Sequence, residues 1–407
     1  MSTATKLRAL ADATPDSRDR YVDFLRAFSI LAVVIGHWLI GVIWWQGGVI
    51  RQTSAIGITP WMWLATWFFQ VMPLFFFVGG FSNLVSLESS RRRGEPVVTF
   101  LRSRSMRLLK PSAVFLGVWL VVQIALHLLN IGGGAGPTVW GDTHLLRGMK
   151  PPGATIPFGP LWFLPVYLVV ILLAPPMVWL HKRFGVWVPI ALLLAIGAVD
   201  AVGFAGGHPG VRYINVLLVW LLPHQLGFFY ADGRLARLSR GVLAAMALVG
   251  IAALIVLTNP PLFQALGDVG PRWFSGLRAY PKSLLGTDLE PIANTYPPTL
   301  PMVAMTLWSI GVGMLLRDPA NRWLRRTGPW MVTIYVNSVI MTLYLWHMTA
   351  YLLAILVLWP LGFGHQTEST WRWWLERPIW VVVPGAFLAV LVALFGRFER
   401  PTRASST

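Results

Sequence analysis

The chain has 407 residues, of which 56% are hydrophobic and only 12% are Asp, Glu, Lys or Arg. Because an ordinary soluble domain carries about 25% charged residues, this composition leaves too little polar surface for a soluble globule and predicts a protein embedded in a lipid bilayer. The net charge is +17 and there is no cysteine, which excludes disulfides, cysteine-bound metals and a cysteine nucleophile.

Ten apolar segments follow one another along the chain, each near the roughly 20 residues that a helix needs to cross a bilayer. They are residues 22–45, 61–87, 111–130, 160–180, 185–204, 211–231, 242–258, 299–316, 332–359 and 379–395. This pattern predicts an all-α polytopic membrane protein. We expect a cytoplasmic segment at residues 1–20 without a removable signal peptide, a ten-helix membrane domain at 21–397 and a cytoplasmic tail at 398–407.

The basic residues are distributed unevenly between the two sides of this predicted bundle. Of the 33 Lys and Arg residues, 24 lie in the N-terminal segment, the alternate loops and the tail, and nine lie on the opposite side. Since cytoplasmic loops carry the excess of Lys and Arg, the split predicts that both termini are cytoplasmic. The charge is dispersed over membrane-flanking loops, so we expect no nucleic-acid partner.

The first segment carries two ionisable residues on one helical face. Arg26 and His37 are eleven residues apart, close to three turns, which corresponds to about 16 Å of rise. Asp23 lies within i,i+3 reach of Arg26. An ionisable residue inside a span indicates function, because its burial is costly. The alternative is that Arg26 reaches back to the interface and His37 is a packing residue.

A second basic group precedes the third segment. Arg104 and Arg107 are one helical turn apart, Lys110 follows, and guanidinium groups suit phosphate. The alternative is an ordinary basic cytoplasmic loop.

Tryptophans gather near the predicted outer boundary, where they indicate either an interfacial aromatic belt or a stacking platform for a sugar. They are Trp44, Trp45, Trp61, Trp63, Trp162, Trp371, Trp373, Trp374 and Trp380.

Polar residues also fall inside other predicted spans, where most such residues hydrogen-bond between helices. They include Asp200, His224, Asn337 and His347. The pattern of histidines and acids predicts no metal site, and neither a Walker loop nor a Gly-x-Ser-x-Gly motif is present.

Several motifs, in order along the chain, resemble those of the acyltransferase-3 family of integral membrane proteins. They are Asp23-Phe-Leu-Arg26 with His37, Met72-Pro-Leu-Phe-Phe-Phe-Val-Gly-Gly-Phe81, Arg104-x-x-Arg107 with Pro111, Pro160-Leu-Trp162-Phe163, and Leu345-Trp346-His347. The chain departs from the family pattern at Gly79, where members often have Ser. No hydrolase-like domain follows the tenth segment, so we expect the membrane domain to complete the transfer or to hand the acyl group to a partner.

This resemblance implies a membrane O-acyltransferase of the bacterial inner membrane. The reaction it implies moves an acetyl or other short acyl group from cytoplasmic acyl-CoA, typically acetyl-CoA, to a hydroxyl of a cell-envelope glycan or glycolipid, without a permanently bound cofactor. His37 would act as general base or covalent acyl carrier. The remaining implied roles are catalytic for Asp23 and Arg26, donor-binding for Arg26, Arg104, Arg107 and Lys110, and acceptor-binding or supporting for His347, Tyr344, Trp162 and His224.

A rival hypothesis is a transporter or flippase of an envelope lipid or metabolite. Ten helices interrupted by prolines, with polar groups inside the spans, would suit such a protein, although the missing inverted repeat argues against it. The sequence leaves the identity of the acceptor, the acyl chain length and the oligomeric state open.

Overall fold

The computed structural model describes residues 3–15, 18–46, 49–59, 61–128, 156–269, 279–286 and 293–399. Within these ranges, ten helices are long and apolar enough to cross a membrane. The predicted all-α polytopic fold is therefore confirmed. Most of the predicted outer loop 131–159, part of the loop 259–298, and the side chains of Trp44 and Trp45 lie outside the described part of the chain.

The described residues form sixteen α-helices and one two-stranded hairpin. In chain order they are α1 (Thr3–Asp12), α2 (Arg20–Ile40), β1 (Gly41–Gln46), β2 (Val49–Ser54), α3 (Ala55–Ile58), α4 (Trp63–Phe69), α5 (Met72–Arg92), α6 (Val97–Leu128), α7 (Phe163–Phe184), α8 (Trp187–Phe204), α9 (Asn215–Ala231), α10 (Arg240–Thr258), α11 (Pro260–Val269), α12 (Leu300–Leu324), α13 (Thr327–Ser338), α14 (Ile340–Leu358), α15 (Trp371–Glu376) and α16 (Ile379–Phe395). The short helices α4 and α15 extend the spans formed by α5 and α16.

The first predicted span is shorter than expected. Helix α2 begins where the Asp19 carboxylate accepts a hydrogen bond from the amide of Val22, a standard N-cap, and ends at Ile40. The apolar run continues as an antiparallel hairpin in which Gly41 pairs with Ser54. An apolar run rich in β-branched and aromatic residues suits a strand as well as a helix, so its composition could not mark the change.

The third predicted span is longer than expected. Helix α6 starts at Val97, so Arg102, Arg104, Arg107 and Lys110 are helical rather than part of a loop. Hydropathy excluded this basic stretch from the predicted segment because it counts only apolar residues. The first turns of α6 consequently hold these side chains at fixed helical spacing.

The predicted segment 332–359 is broken into α13 and α14 at Val339, whose φ of −133° and ψ of 22° are not helical. The Glu399 carboxylate accepts hydrogen bonds from the amides of Met341 at 2.9 Å and Thr342 at 3.0 Å, which satisfies the first N–H groups of α14. Burial raises the pKa of Glu399, while these bonds stabilise its charged form. The cap comes from the far end of the chain, so local sequence could not reveal it.

The tryptophans predicted near the outer boundary differ in exposure, and Trp63, Trp162 and Trp374 are half-buried. Trp61 and Trp371 are 58% and 77% exposed, as expected for an aromatic belt in contact with lipid headgroups. Trp373 and Trp380 are buried, with exposures of 1% and 0%. The belt interpretation is therefore wrong for these two residues, which lie inside the bundle.

Two of the polar residues within spans hold elements together. The buried Asp200 carboxylate accepts hydrogen bonds from Asn215, from the Tyr280 hydroxyl and from the amide of Leu300, each at 2.9 Å, and so joins α8, α9 and the start of α12. Asn337 of α13 donates to the backbone carbonyl of Asp23 on α2 at 2.8 Å. Both are helix–helix hydrogen-bonding residues, as the sequence suggested.

Helices α5 and α9 approach each other closely at two glycines. A Cβ on Gly80 would lie 1.9 Å from the carbonyl oxygen of His224, and a Cβ on Gly227 would lie 2.1 Å from that of Phe77. Small residues at helix interfaces in membranes permit this backbone contact, and here it determines the position of α5 against the rest of the bundle.

Replacing Gly80 with Ala should destabilise the protein. The added methyl group overlaps backbone rather than a mobile side chain, so we expect a loss of about 1–3 kcal/mol and a lower Tm. The matched control is Gly197→Ala on α8, where a Cβ meets nothing within 4 Å. Thermal unfolding in detergent compares the two variants, and equal Tm values would contradict the close contact.

Candidate functional site: a histidine pair and an arginine cleft

Two histidines from different spans meet inside the bundle. His37 of α2 and His347 of α14 have ring centroids 5.1 Å apart, with an interplanar angle of 54°. In each ring Nδ1 bonds a carbonyl of its own helix, Val33 at 2.7 Å for His37 and Tyr344 at 2.6 Å for His347. Because a carbonyl only accepts, Nδ1 carries the proton in both rings and Nε2 keeps its lone pair.

The Nε2 atom of His347 has no hydrogen-bond partner among the described residues, and the residue is fully buried. Trp38 donates to the backbone carbonyl of His347 at 3.0 Å, which joins α2 to α14 next to the pair. Leaving a buried polar atom unpaired costs about 1–3 kcal/mol, so this nitrogen indicates a place where a ligand donates a hydrogen bond. Such a pair can accept a proton from a substrate hydroxyl.

A cleft of about 490 Å³ opens at the end of the bundle where α2, α5 and α6 meet, on the side predicted to be cytoplasmic. Five arginines, four serines and two aspartates are among its lining residues. The lining consists of Arg18, Asp19, Val22, Asp23, Arg26, Phe81, Ser82, Val85, Ser86, Ser89, Arg93, Ser103, Arg104 and Arg107. The excess of guanidinium groups over carboxylates makes the cleft suited to a polyanion.

Three of these arginines already have carboxylate partners. Asp23 accepts from Arg18 at 2.6 Å and lies 3.4 Å from Arg26. At the rim, Arg93 pairs with Glu95 at 2.7 Å, and this hydrogen bond lowers the pKa of Glu95. Arg93 is therefore largely neutralised, and Asp23 offsets part of the charge of Arg18 and Arg26. Among the described residues, the cleft arginines without a carboxylate partner are Arg104 and Arg107 of α6.

Ser82 of α5 connects the arginines of the other two helices. Its hydroxyl accepts a hydrogen bond from Arg26 at 2.5 Å, and its backbone carbonyl accepts one from Arg104. Ser86 and Ser89 follow at helical spacing and complete a polar stripe along the cleft. Sequence reasoning missed this stripe, although the i, i+4, i+7 spacing of the serines was a visible signal.

The structure brings only some of the predicted donor-binding residues together. Arg26, Arg104 and Arg107 line the cleft, whereas Lys110 is exposed on α6 and is not among the lining residues. Asp23, predicted to be catalytic, also lies at the cleft and orients Arg26. About fourteen residues of helix, roughly 21 Å of rise, separate Asp23 from His37.

A row of aromatic rings leads from α7 to the histidine pair. It begins at Tyr167, one helical turn from Phe163 on the same helix. From there Tyr167 stacks on Phe163 at 5.3 Å, Phe163 meets Tyr344 at 5.7 Å, and Tyr344 lies 6.3 Å from His347. The row gives a continuous aromatic wall from Tyr167 to the imidazole of His347.

Gly79 allows this arrangement, since a Cβ there would lie 2.9 Å from the Tyr167 ring. A larger residue at this position would require the Tyr167 ring to shift. The departure at Gly79 is therefore matched by a ring that fills the same space.

The remaining predicted residues have other neighbours. The Tyr344 hydroxyl donates a hydrogen bond to the carbonyl of Pro160. Trp162, two residues further along the chain, packs on Trp220 with ring centroids 6.1 Å apart. His224 accepts a hydrogen bond from Asn83 at 3.0 Å, and Asn83 follows Ser82 of the cleft on α5. Over the described ranges, no group of three His, Asp or Glu residues is placed to hold a metal ion.

Comparison with known proteins adds one finding. A family model described as an acyltransferase domain matches residues 19–397, which is nearly the whole chain. Neither a curated protein nor a solved structure matches the chain. The match extends across the cleft and the histidine pair.

Proposed function

Because the chain belongs to the acyltransferase family whose model it matches, we propose that it moves an acetyl or other short acyl group from cytoplasmic acyl-CoA to a hydroxyl of a cell-envelope glycan or glycolipid. The family establishes a membrane acyltransferase and disfavours a transporter without such chemistry. The donor, the acceptor, the role of His37 and a location in the bacterial inner membrane are our proposals.

The observation that carries the proposal is that the arginine cleft and the histidine pair share helix α2. Acyl-CoA combines a polyanionic nucleotide with a long, extended arm that ends in a thioester. The nucleotide phosphates match Arg26, Arg104 and Arg107, which offer bidentate hydrogen bonds. The arm then covers the roughly 16 Å of helix rise between Arg26 and His37, along the aromatic wall.

The reaction requires one proton acceptor at the thioester. In direct transfer, Nε2 of His37 takes the proton of the acceptor hydroxyl, while the oxygen of that hydroxyl attacks the thioester carbonyl carbon. A C–O bond forms, the C–S bond breaks, and the thiolate of CoA leaves and regains the proton. In the covalent route the same nitrogen attacks the thioester carbonyl first, and the C–S bond breaks to release the CoA thiolate. The acceptor oxygen then attacks the acyl-imidazole, the C–N bond breaks, and the hydroxyl proton passes to the thiolate. Both routes need a lone pair on Nε2, and the bond from Nδ1 to the Val33 carbonyl supports this by favouring the tautomer that is protonated at Nδ1.

The proposal is tested with purified protein in nanodiscs and radiolabelled acetyl-CoA. We expect saturable binding that falls as ionic strength rises, because the nucleotide contacts are ionic. Addition of native membranes should give CoA release and label in the glycan or glycolipid fraction. Absence of both binding and transfer, with other short acyl-CoA donors tried in parallel, would overturn the proposed donor.

A further inference from the structure

One helical turn beyond the histidine pair, the two helices that carry it meet again. Tyr351 follows His347 by four residues on α14, and Gly41 follows His37 by four at the end of α2. A Cβ on Gly41 would lie 2.3 Å from the Tyr351 hydroxyl oxygen, so only glycine leaves room for this hydroxyl. The hydroxyl therefore lies about one helical turn beyond the pair, on the side away from the arginine cleft.

Arg377 covers this position from the segment between α15 and α16. Its Nη1 donates to the Gly41 carbonyl at 3.2 Å, its Nε donates to the Trp373 carbonyl at 3.0 Å, and its guanidinium lies 3.9 Å from the Trp373 ring centroid. The residue is only 5% exposed. The neighbouring Glu376 carboxylate is instead bonded to the Gly364 amide.

Three fully buried polar atoms here have no hydrogen-bond partner among the described residues. They are Nε2 of His347, the hydroxyl oxygen of Tyr351 and Nε1 of Trp380. The Tyr351 and Trp380 rings are 5.6 Å apart. The tryptophan N–H can only donate, the imidazole nitrogen can only accept, and the tyrosine hydroxyl can do both. A hydroxyl group, which donates one hydrogen bond and accepts others, satisfies this combination.

We propose that Tyr351, Arg377 and Trp380 form the subsite that binds the hydroxyl-bearing arm of the acceptor and presents it to the histidine pair. This inference rests on the proposed function and adds where the acceptor binds. Donor and acceptor then approach the histidines from opposite ends of the bundle. The acceptor enters from the side predicted to be extracytoplasmic, and the C–O bond forms there. The acceptor is a hydroxylated sugar arm, held by the neutral Tyr351 hydroxyl and Trp380 N–H together with the Arg377 guanidinium.

The test separates donor binding from transfer. Tyr351→Phe removes only the hydroxyl, and Arg377→Lys keeps the charge but shortens and narrows the donor group. The probe is radiolabelled acetyl-CoA, given to membrane vesicles that retain their own glycans and glycolipids. We expect label transfer to fall about tenfold or more in each variant, since each loses a buried hydrogen bond to the acceptor. The Kd for acetyl-CoA should stay within about twofold of the unmodified protein.

The control is Tyr335→Phe, which removes a hydroxyl from an exposed side chain on α13 and should leave both readouts unchanged. Unchanged transfer in Tyr351→Phe and Arg377→Lys, or a parallel loss of acetyl-CoA affinity, would overturn the acceptor subsite. If one variant has a lowered Tm, its loss of transfer could reflect unfolding, and the other variant then decides. If the unmodified protein neither binds acetyl-CoA nor transfers label, the proposed function has failed instead.

Discussion

Replacing His37 with Ala should lower acyl transfer by about 100- to 10,000-fold, the usual contribution of a positioned acid–base group. The substitution removes the only imidazole of the pair that lies on the same helical face as Arg26. His347 remains, but its backbone is bonded to Trp38 and its ring to the Tyr344 carbonyl, so it cannot move into the vacated position. The cleft is three turns away, and the Kd for acetyl-CoA should therefore change little.

The measurement is label transfer from acetyl-CoA in membranes, with protein amount and Tm determined in parallel. His208→Ala is the matched control, because this histidine is exposed in the segment before α9 and lies outside the site. Normal transfer by the His37 variant at normal protein level would remove His37 from the chemistry. A brief incubation without acceptor also separates the two routes, since only the covalent route leaves label on the protein, and only when His37 is present.

The sequence predicted the α2 half of the site but not its partner. Helical spacing alone puts Arg26 and His37 on one face and separates them by three turns. His347 was identified only by resemblance, since a single histidine in an apolar segment is more often a packing residue. Its contact with His37 depends on how α2 packs on α14, and no local pattern encodes that. The subsite at Tyr351 and Arg377 was missed for the same reason.

The differences between the predicted and the observed helix boundaries also have physical causes. Apolar composition predicted ten spans correctly, because the hydrocarbon core requires about 20 apolar residues of helix. It could not show that the run after Ile40 changes to strand, or that α6 continues through a basic stretch outside the apolar core. The break at Val339 depends on a cap from Glu399, which is distant in sequence. Boundaries determined by long-range hydrogen bonds are invisible to a window of neighbouring residues.

Replacing Arg104 with Gln should weaken acetyl-CoA binding about 10- to 100-fold, the range for losing hydrogen bonds that involve a charged group. Arg104 projects from α6 toward α5, where its Nη2 donates to the Ser82 carbonyl. Its Nε is buried and has no partner among the described residues. Such a guanidinium is already ordered, so little entropy is lost when a phosphate binds.

Arg102→Gln is the matched control, since it removes the same charge from the same helix two residues away, at an exposed position outside the cleft. Titration of both variants with acetyl-CoA and with adenosine 3′,5′-bisphosphate, which lacks the arm and the thioester, shows which part of the donor Arg104 contacts. We expect Arg104→Gln to weaken both ligands equally and Arg102→Gln to weaken neither, apart from a small effect that salt screens. Equal losses in the two variants would mean that α6 attracts the donor only by its overall charge. Loss of acetyl-CoA binding alone would place the arm, rather than the phosphates, against Arg104 and would reverse the assigned orientation of the donor in the cleft.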